Sequence, residues 1–193
     1  MKKLILTSLL LTSCGYHWDA PVDTQLSIPF VAGDEEGNLT TELIRTFAAN
    51  GMRVVQSEKA NYRLEVSLSP TTVESIGYRL DRQKIRGAVN KNMVGIESRR
   101  MRGATVSLVN LTTGEVEIGP MQINAEIDYD YYDGDSSEEL SFVTPKGVPH
   151  TVLSFSLGQL ESPESAGDAA MRPLNRRLSQ LIVESIRGAL AWR

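Results

Sequence analysis

The chain has 193 residues, 41% of them hydrophobic, and carries 20 Lys and Arg against 24 Asp and Glu, a net charge of −4. This length suits a single domain with a substantial core, and the composition is that of neither a disordered chain nor a fibrous repeat. An acidic chain is a poor candidate for binding nucleic acid, and a single cysteine excludes an intrachain disulfide. We therefore predict one folded domain without a nucleic-acid partner.

The N-terminus has the pattern of a bacterial secretion signal. A short cationic start precedes an apolar stretch from Leu4 to Thr12, which is too short for a bilayer span of about 20 apolar residues. The stretch ends in Leu11-Thr12-Ser13-Cys14, which resembles the lipobox of bacterial lipoproteins. The resemblance implies that residues 1–13 are a signal peptide and that Cys14 is the lipid attachment site.

Lipidation at Cys14 implies both a compartment and a membrane association. Diacylglycerol on the thiol and an N-acyl chain such as palmitate anchor a protein stably, because each buried CH₂ contributes about 0.8 kcal/mol. Gly15 follows, in the position where an Asp retains lipoproteins at the inner membrane. We therefore expect an outer-membrane, periplasm-facing protein with residues 14–23 as its tether and no other cofactor. The mature chain would have 18 Lys and Arg against 24 Asp and Glu, a net charge of −6.

Residues 24–193 are predicted to form one α+β domain. Leu26–Val31 is a first strand whose proline favours an edge position or a strand end. The turn at 33–38 can cap a helix in which Leu39, Leu43, Ile44 and Phe47 recur at helical spacing, and this helix ends at Asn50-Gly51. A short strand follows at Met52–Val55, and Tyr62–Leu68 alternates as a half-buried strand does.

The second half of the domain is predicted to contain a hairpin and a long helix. Strands on either side of Thr112–Glu115 form the hairpin, and the apolar positions change parity at Gly119-Pro120, which predicts a β-bulge. Apolar residues from Leu174 to Leu190 mark one helix face, with Pro173 either in the first turn or at a kink. We predict a two-layer sandwich, with two helices on one face of a mainly antiparallel sheet of about four to six strands.

The start of the mature chain, Cys14-Gly15-Tyr16-His17, followed by Ile28-Pro29-Phe30 and an early helix, resembles the LPS-assembly lipoprotein LptE family. The strand at 60–66, the hairpin at 106–127, the strand end at 129–132 and the last helix fall in that family's order. The resemblance implies a helix-on-sheet fold and a non-enzymatic role. Family members sit inside and beneath an outer-membrane β-barrel, stabilise its assembly and bind lipopolysaccharide.

A basic segment at 79–102 departs from the family pattern and is predicted to be a loop. It has a net charge of +6, with Asp81 and Glu97 as its only acids. Because guanidinium groups match phosphate bidentately, we predict that its cations contact an anionic glycolipid, through the phosphates of lipopolysaccharide, or the headgroups of a membrane. Three alternatives are a protein contact, a solvated loop, and pairing with the chain's own acidic loop, predicted at 133–149. The cations are Arg79, Arg82, Lys84, Arg86, Lys91, Arg99, Arg100 and Arg102.

The sequence does not contain the patterns of a metal site or of an enzyme active site. The acids between Glu126 and Glu139 fail the EF-hand spacing, and His17 and His150 have no second ligand nearby in sequence. No nucleophile, phosphate-loop or dinucleotide motif occurs, so we expect neither a metal site nor an enzyme. Arginines 172, 176 and 177 form a second basic cluster near the start of the last helix. The alternative function is a lipid-anchored adaptor for another cell-envelope complex.

Overall fold

The computed structural model describes residues 24–82, 89–132, 141–151 and 162–191. The predicted signal peptide and Cys14, Lys84 and Arg86 therefore lie outside the described residues, as does the stretch 133–140. No described helix is long and apolar enough to cross a membrane. The elements are β1 Gln25–Ser27, α1 Asn38–Ala49, β2 Arg53–Val54, β3 Tyr62–Leu68, β4 Thr72–Arg82, β5 Val89–Asn110, β6 Val116–Asp130, β7 Ser141–Val143, β8 Pro149–Thr151 and α2 Pro163–Ala191.

Strand β5 organises the main sheet. Its 22 residues pair with β6 along one edge, and along the other edge with β3 and β4 in turn. Pro70 lies between β3 and β4 and separates them into two strands. The strand β1 pairs in parallel with both β2 and β3, while β3, β4 and β6 pair antiparallel with β5. The predicted α+β class is confirmed, and the sheet is mixed.

Both helices bury their apolar stripes in one core with the sheet. On α1 the stripe consists of Leu39, Leu43 and Phe47, each fully buried as its helical spacing predicts. The sheet contributes alternate residues of β5 to the same cluster. The fully buried apolar residues of α2 and β5 are Leu174, Leu178, Ile182, Ile186, Ala104, Val106 and Leu108.

The bulge predicted at Gly119-Pro120 is confirmed. Val106 pairs with Met121 and Leu108 with Ile118, so two residues of β6 face one residue of β5 at this point. Gly119 has φ 93°, a left-handed conformation that glycine adopts without strain. The inserted residue moves the buried positions of β6 from even to odd numbers, which keeps its apolar side chains on the core.

The prediction of a basic loop at 79–102 is wrong, because the described residues of this segment belong to β4 and β5. Register shifts in the β4–β5 pairing, near Gly77 and between Leu80 and Arg82, remove the simple alternation of a strand. Arg100 and Arg102 further hide the pattern, because they stand where the alternation of β5 calls for apolar residues.

Two boundaries also differ from prediction. Part of the acidic loop predicted at 133–149 forms a small hairpin of β7 and β8, with a turn at 144–148. The last helix begins at Pro163, so Pro173 lies in its interior and not in its first turn. Buried Ala166 and Ala170 pack this early half of α2 on the protein, and such tertiary packing outweighs the helix-breaking tendency of proline.

Candidate anion-binding arginines of strand β5

Strand β5 carries three arginines of the predicted basic segment, and strand alternation divides them between the two faces of the sheet. Arg100 and Arg102 share the face of Ala104, which is buried beneath the helices. Arg99 points to the opposite face. Neighbouring cations in the sequence therefore have different surroundings.

The charge of Arg99 is neutralised within the sheet. Its Nε and Nη2 donate to the two carboxylate oxygens of Asp128, at 2.7 and 2.9 Å, and its Nη1 lies 3.6 Å from an oxygen of Glu126. The hydrogen bond from Arg99 and its positive charge hold the pKa of Asp128 below its usual value, and the pKa of Arg99 is raised. Internal pairing thus does occur, although its acids belong to β6 and not to the predicted loop at 133–149.

Arg100 lies between an aromatic ring and the backbone of α2. Its guanidinium carbon is 5.9 Å from the ring centroid of Tyr129, a cation–π distance. Gly167 makes this position available, because a Cβ there would lie 2.9 Å from Nη2 of Arg100. The Nε of Arg100 is buried without a hydrogen-bond partner. Within the described ranges no carboxylate forms an ion pair with this arginine.

Arg102 has only neutral partners among the described residues. Its Nη1 donates to Oδ1 of Asn175 at 3.2 Å, and its Nη2 donates to the carbonyl oxygen of Gly33 at 3.3 Å. Its Nε is buried without a partner. Leaving such a charge without a carboxylate is unusual, because a half-buried cation is normally paired.

A cleft of about 790 Å³ opens over Arg102, between the start of α1 and the middle of α2. Asn175, only 5% exposed, lies at its wall, and Arg172 adds a second cation. Several acids line the same cleft, among them Glu36 and Asp168. The cleft therefore places opposite charges side by side around a polar floor.

The remaining predicted cations lie at separate places in the structure. Arg79 is half-buried on β4, and Arg82 and Lys91 belong by their backbone to β4 and β5, while their side chains are outside the described part. Arg172 joins the cleft at Arg102, and Arg176 and Arg177 are exposed. This second cluster lies near the middle of α2, because the helix begins ten residues before Pro173.

Sequence reasoning missed three residues that shape the arginine surroundings. Gly167 sits in a small-residue stretch that shows no distinctive pattern. Asn175 lies between Leu174 and Leu178 on the apolar stripe of the last helix. A polar side chain at a position where the stripe calls for an apolar one is the sequence signal that could have indicated its polar contact. Tyr129 falls within a predicted strand, and nothing in its sequence position indicates contact with an arginine. Among the described residues, no group of three or more His, Cys, Asp or Glu side chains converges as a metal site would require.

No protein-family model and no curated protein match the sequence. Among solved structures, a minor lipoprotein from Acinetobacter baumannii is similar, with a TM-score of 0.49 and 17% identity over 86% of this chain and 92% of that chain. Rare lipoprotein B from Shewanella oneidensis is similar with a TM-score of 0.45 and 15% identity, over 86% of this chain and 96% of that chain. Both similarities extend over most of each chain at low sequence identity.

Proposed function

We propose that this protein is an outer-membrane lipoprotein, anchored through Cys14, that acts without enzymatic activity in lipopolysaccharide assembly. It binds the lipopolysaccharide-translocating β-barrel and lipopolysaccharide itself. The lipobox and the Cys14-Gly15-Tyr16-His17 start support the anchor and the family role. The observation that carries ligand binding is the pair Arg100 and Arg102, whose charges have no carboxylate partner among the described residues.

The chemistry of the ligand suits this pair. The glucosamine ends of lipid A carry phosphates, and arginine binds phosphate with directed, charge-assisted hydrogen bonds. Arg100 and Arg102 are two positions apart on one strand, which separates their Cα atoms by roughly 7 Å. Arg99 is excluded from the proposed ligand contacts because Asp128 already neutralises its charge through two hydrogen bonds.

The decisive comparison is between arginines that are adjacent in sequence and differ in their partners. Lipopolysaccharide is titrated into the detergent-solubilised lipidated protein, and affinity is measured for R100Q/R102Q and for R99Q. At about 1 kcal/mol for each cation near an anionic surface, the double variant should bind roughly 30-fold more weakly. R99Q should stay within about twofold of the parent.

Equal losses in the two variants would point to a general effect of charge and contradict the proposed ligand contacts. Loss of the folded circular dichroism spectrum in R100Q/R102Q would require the milder R100K and R102K variants. These keep the charge and lose the planar guanidinium, so they should bind with intermediate affinity.

The barrel partner is tested separately by pull-down from detergent extracts of cells. Recovery of a large outer-membrane β-barrel protein supports the proposal. Recovery of a periplasmic or inner-membrane complex instead would favour the alternative role, a lipid-anchored adaptor for another envelope complex.

A further inference from the structure

The far end of the β4–β5 pair displays an apolar surface that the described helices do not cover. Tyr78, Leu80 and Met93 are 51%, 55% and 66% exposed. Leu80 pairs directly with Met93 across the two strands, and Tyr78 lies two residues before Leu80 on the same strand face. We call these three residues the hairpin surface. Single exposed apolar residues are ordinary, whereas a cluster on one face indicates a contact.

The hairpin surface lies at the end of the sheet opposite residue 24, where the described chain begins after the predicted tether. The described chain starts just before β1, where Asn61 donates to the carbonyl of Gln25 and Leu111 donates to the carbonyl of Asn61. The first described residues, which follow the predicted tether in sequence, therefore lie beside the β5–β6 turn. The hairpin surface is at the other end of β5, whose 22 residues span up to ~70 Å at ~3.3 Å each.

Basic residues accompany the apolar ones in the sequence. Between positions 79 and 91 the chain has five Lys and Arg and one Asp, a net charge of +4, within a chain whose total charge is negative. Apolar side chains beside cations are the composition of segments that enter the interface of anionic bilayers. A protein partner would need a matching acidic and apolar surface, whereas an anionic bilayer offers both properties along its whole extent.

We propose that the hairpin surface is a second membrane contact, which binds an anionic phospholipid bilayer while the lipid at Cys14 holds the opposite end of the domain. The inference rests on the proposed anchoring at Cys14, which brings the domain to a bilayer. The three apolar side chains enter the headgroup boundary, and the net positive charge of residues 79–91 favours an anionic surface. The long axis of β5 then lies along the membrane.

The test uses the mature chain, residues 14–193, with Cys14→Ser, so that no acyl chain contributes. Co-sedimentation is measured with vesicles of equal parts phosphatidylglycerol and phosphatidylcholine, and with vesicles of phosphatidylcholine alone. We expect binding to the anionic vesicles, weakened by salt and at least about fivefold weaker to the neutral ones. Absence of binding to the anionic vesicles overturns the proposal.

Matched variants test the location of the contact. L80S/M93S removes two exposed apolar side chains and should lower the partition coefficient by about tenfold or more, because their transfer to the interface is lost. Val116 is 55% exposed beside the β5–β6 turn, at the tether end, and V116S should change binding by less than about twofold. Equal losses in both variants overturn the assigned location.

A third vesicle preparation separates this inference from the proposed function. Vesicles of phosphatidylcholine containing lipopolysaccharide report on the ligand and lack the anionic phospholipid. Binding to these vesicles without binding to the phosphatidylglycerol vesicles overturns the second membrane contact and leaves the proposed function standing. Binding to phosphatidylglycerol vesicles without any response to lipopolysaccharide supports the second membrane contact and contradicts the proposed binding of lipopolysaccharide.

Discussion

Arg99 and Asp128 face each other across the β5–β6 pair and share two hydrogen bonds of 2.7 and 2.9 Å. This arrangement pairs the charge of Arg99 with a carboxylate, while Arg100, the next residue, points to the other face and meets Tyr129. Adjacent arginines therefore have separate roles, one in holding two strands together and one in the proposed ligand contact.

The pairing of Arg99 with Asp128 should make stability depend on acid pH. The pKa of Asp128 is lowered in the folded protein by its hydrogen bond from Arg99, so its contribution is fully present above the unfolded pKa of about 4. It is lost as pH falls through the lower folded pKa. In urea unfolding, D128N should be less stable than the parent at pH 7, and the difference should shrink below pH 4.

A double-mutant cycle with R99Q isolates the pair from other effects of either substitution. The coupling between positions 99 and 128 should be favourable at pH 7 and fade in strong acid and at high salt. A coupling that is the same at pH 7 and pH 2 would show that the contact does not depend on the ionised carboxylate.

Gly167 should hold the guanidinium of Arg100 in place, because it leaves room where a larger residue would not. A Cβ there would approach Nη2 of Arg100 at 2.9 Å, whereas nothing lies within 4 Å of a Cβ at Gly188 on the same helix. G188A should raise the free energy of unfolding by about 0.5–1 kcal/mol, because alanine favours the helix. G167A should gain less or lose stability, and it should weaken lipopolysaccharide binding by displacing the guanidinium. Equal stabilisation with unchanged binding would contradict the positioning of Arg100 by Gly167.

Asp34 caps the start of α1 although the N-cap position of the helix is Gly37, three residues later. The carboxylate oxygen Oδ2 accepts hydrogen bonds from the backbone N–H and the hydroxyl of Thr40, at 2.7 and 2.8 Å, and the side chain is 4% exposed. D34A should lower the free energy of unfolding by about 2–3 kcal/mol, measured by denaturant titration. Among the described residues, Glu36 accepts a side-chain hydrogen bond from the exposed Asn38 alone, and E36A should stay within about 0.5 kcal/mol of the parent.

Cys14 is predicted to carry the lipid anchor. The mass of the protein from membranes should equal that of residues 14–193 plus a diacylglycerol and one acyl chain. C14S should lose the lipid and the cleavage, whereas S13A keeps a small residue before the cysteine and should be processed normally. A lipid-free protein of full length in the parent strain would contradict the predicted processing.

The sequence alone is enough to predict an element of the fold where the local pattern of apolar residues agrees with the tertiary environment. Alternation from Tyr62 to Leu68 predicted β3, the spacing of Leu39, Leu43 and Phe47 predicted α1, and the parity change predicted the bulge at Gly119-Pro120. These features can be predicted because apolar side chains face the core and polar ones face solvent. This division repeats every two residues along a strand and every 3.6 residues along a helix.

The surroundings of the arginines required the tertiary structure. Charge composition grouped Arg99, Arg100 and Arg102 as one basic segment, since composition does not record which face of a strand a side chain takes. Register with β6 brings Asp128 to Arg99, and the packing of α2 brings Gly167 and Asn175 to the other two. The sequence alone determines the lipobox, the net charge and the helix-on-sheet class. Which cations are neutralised depends on contacts between residues distant in the chain, and only the fold decides them.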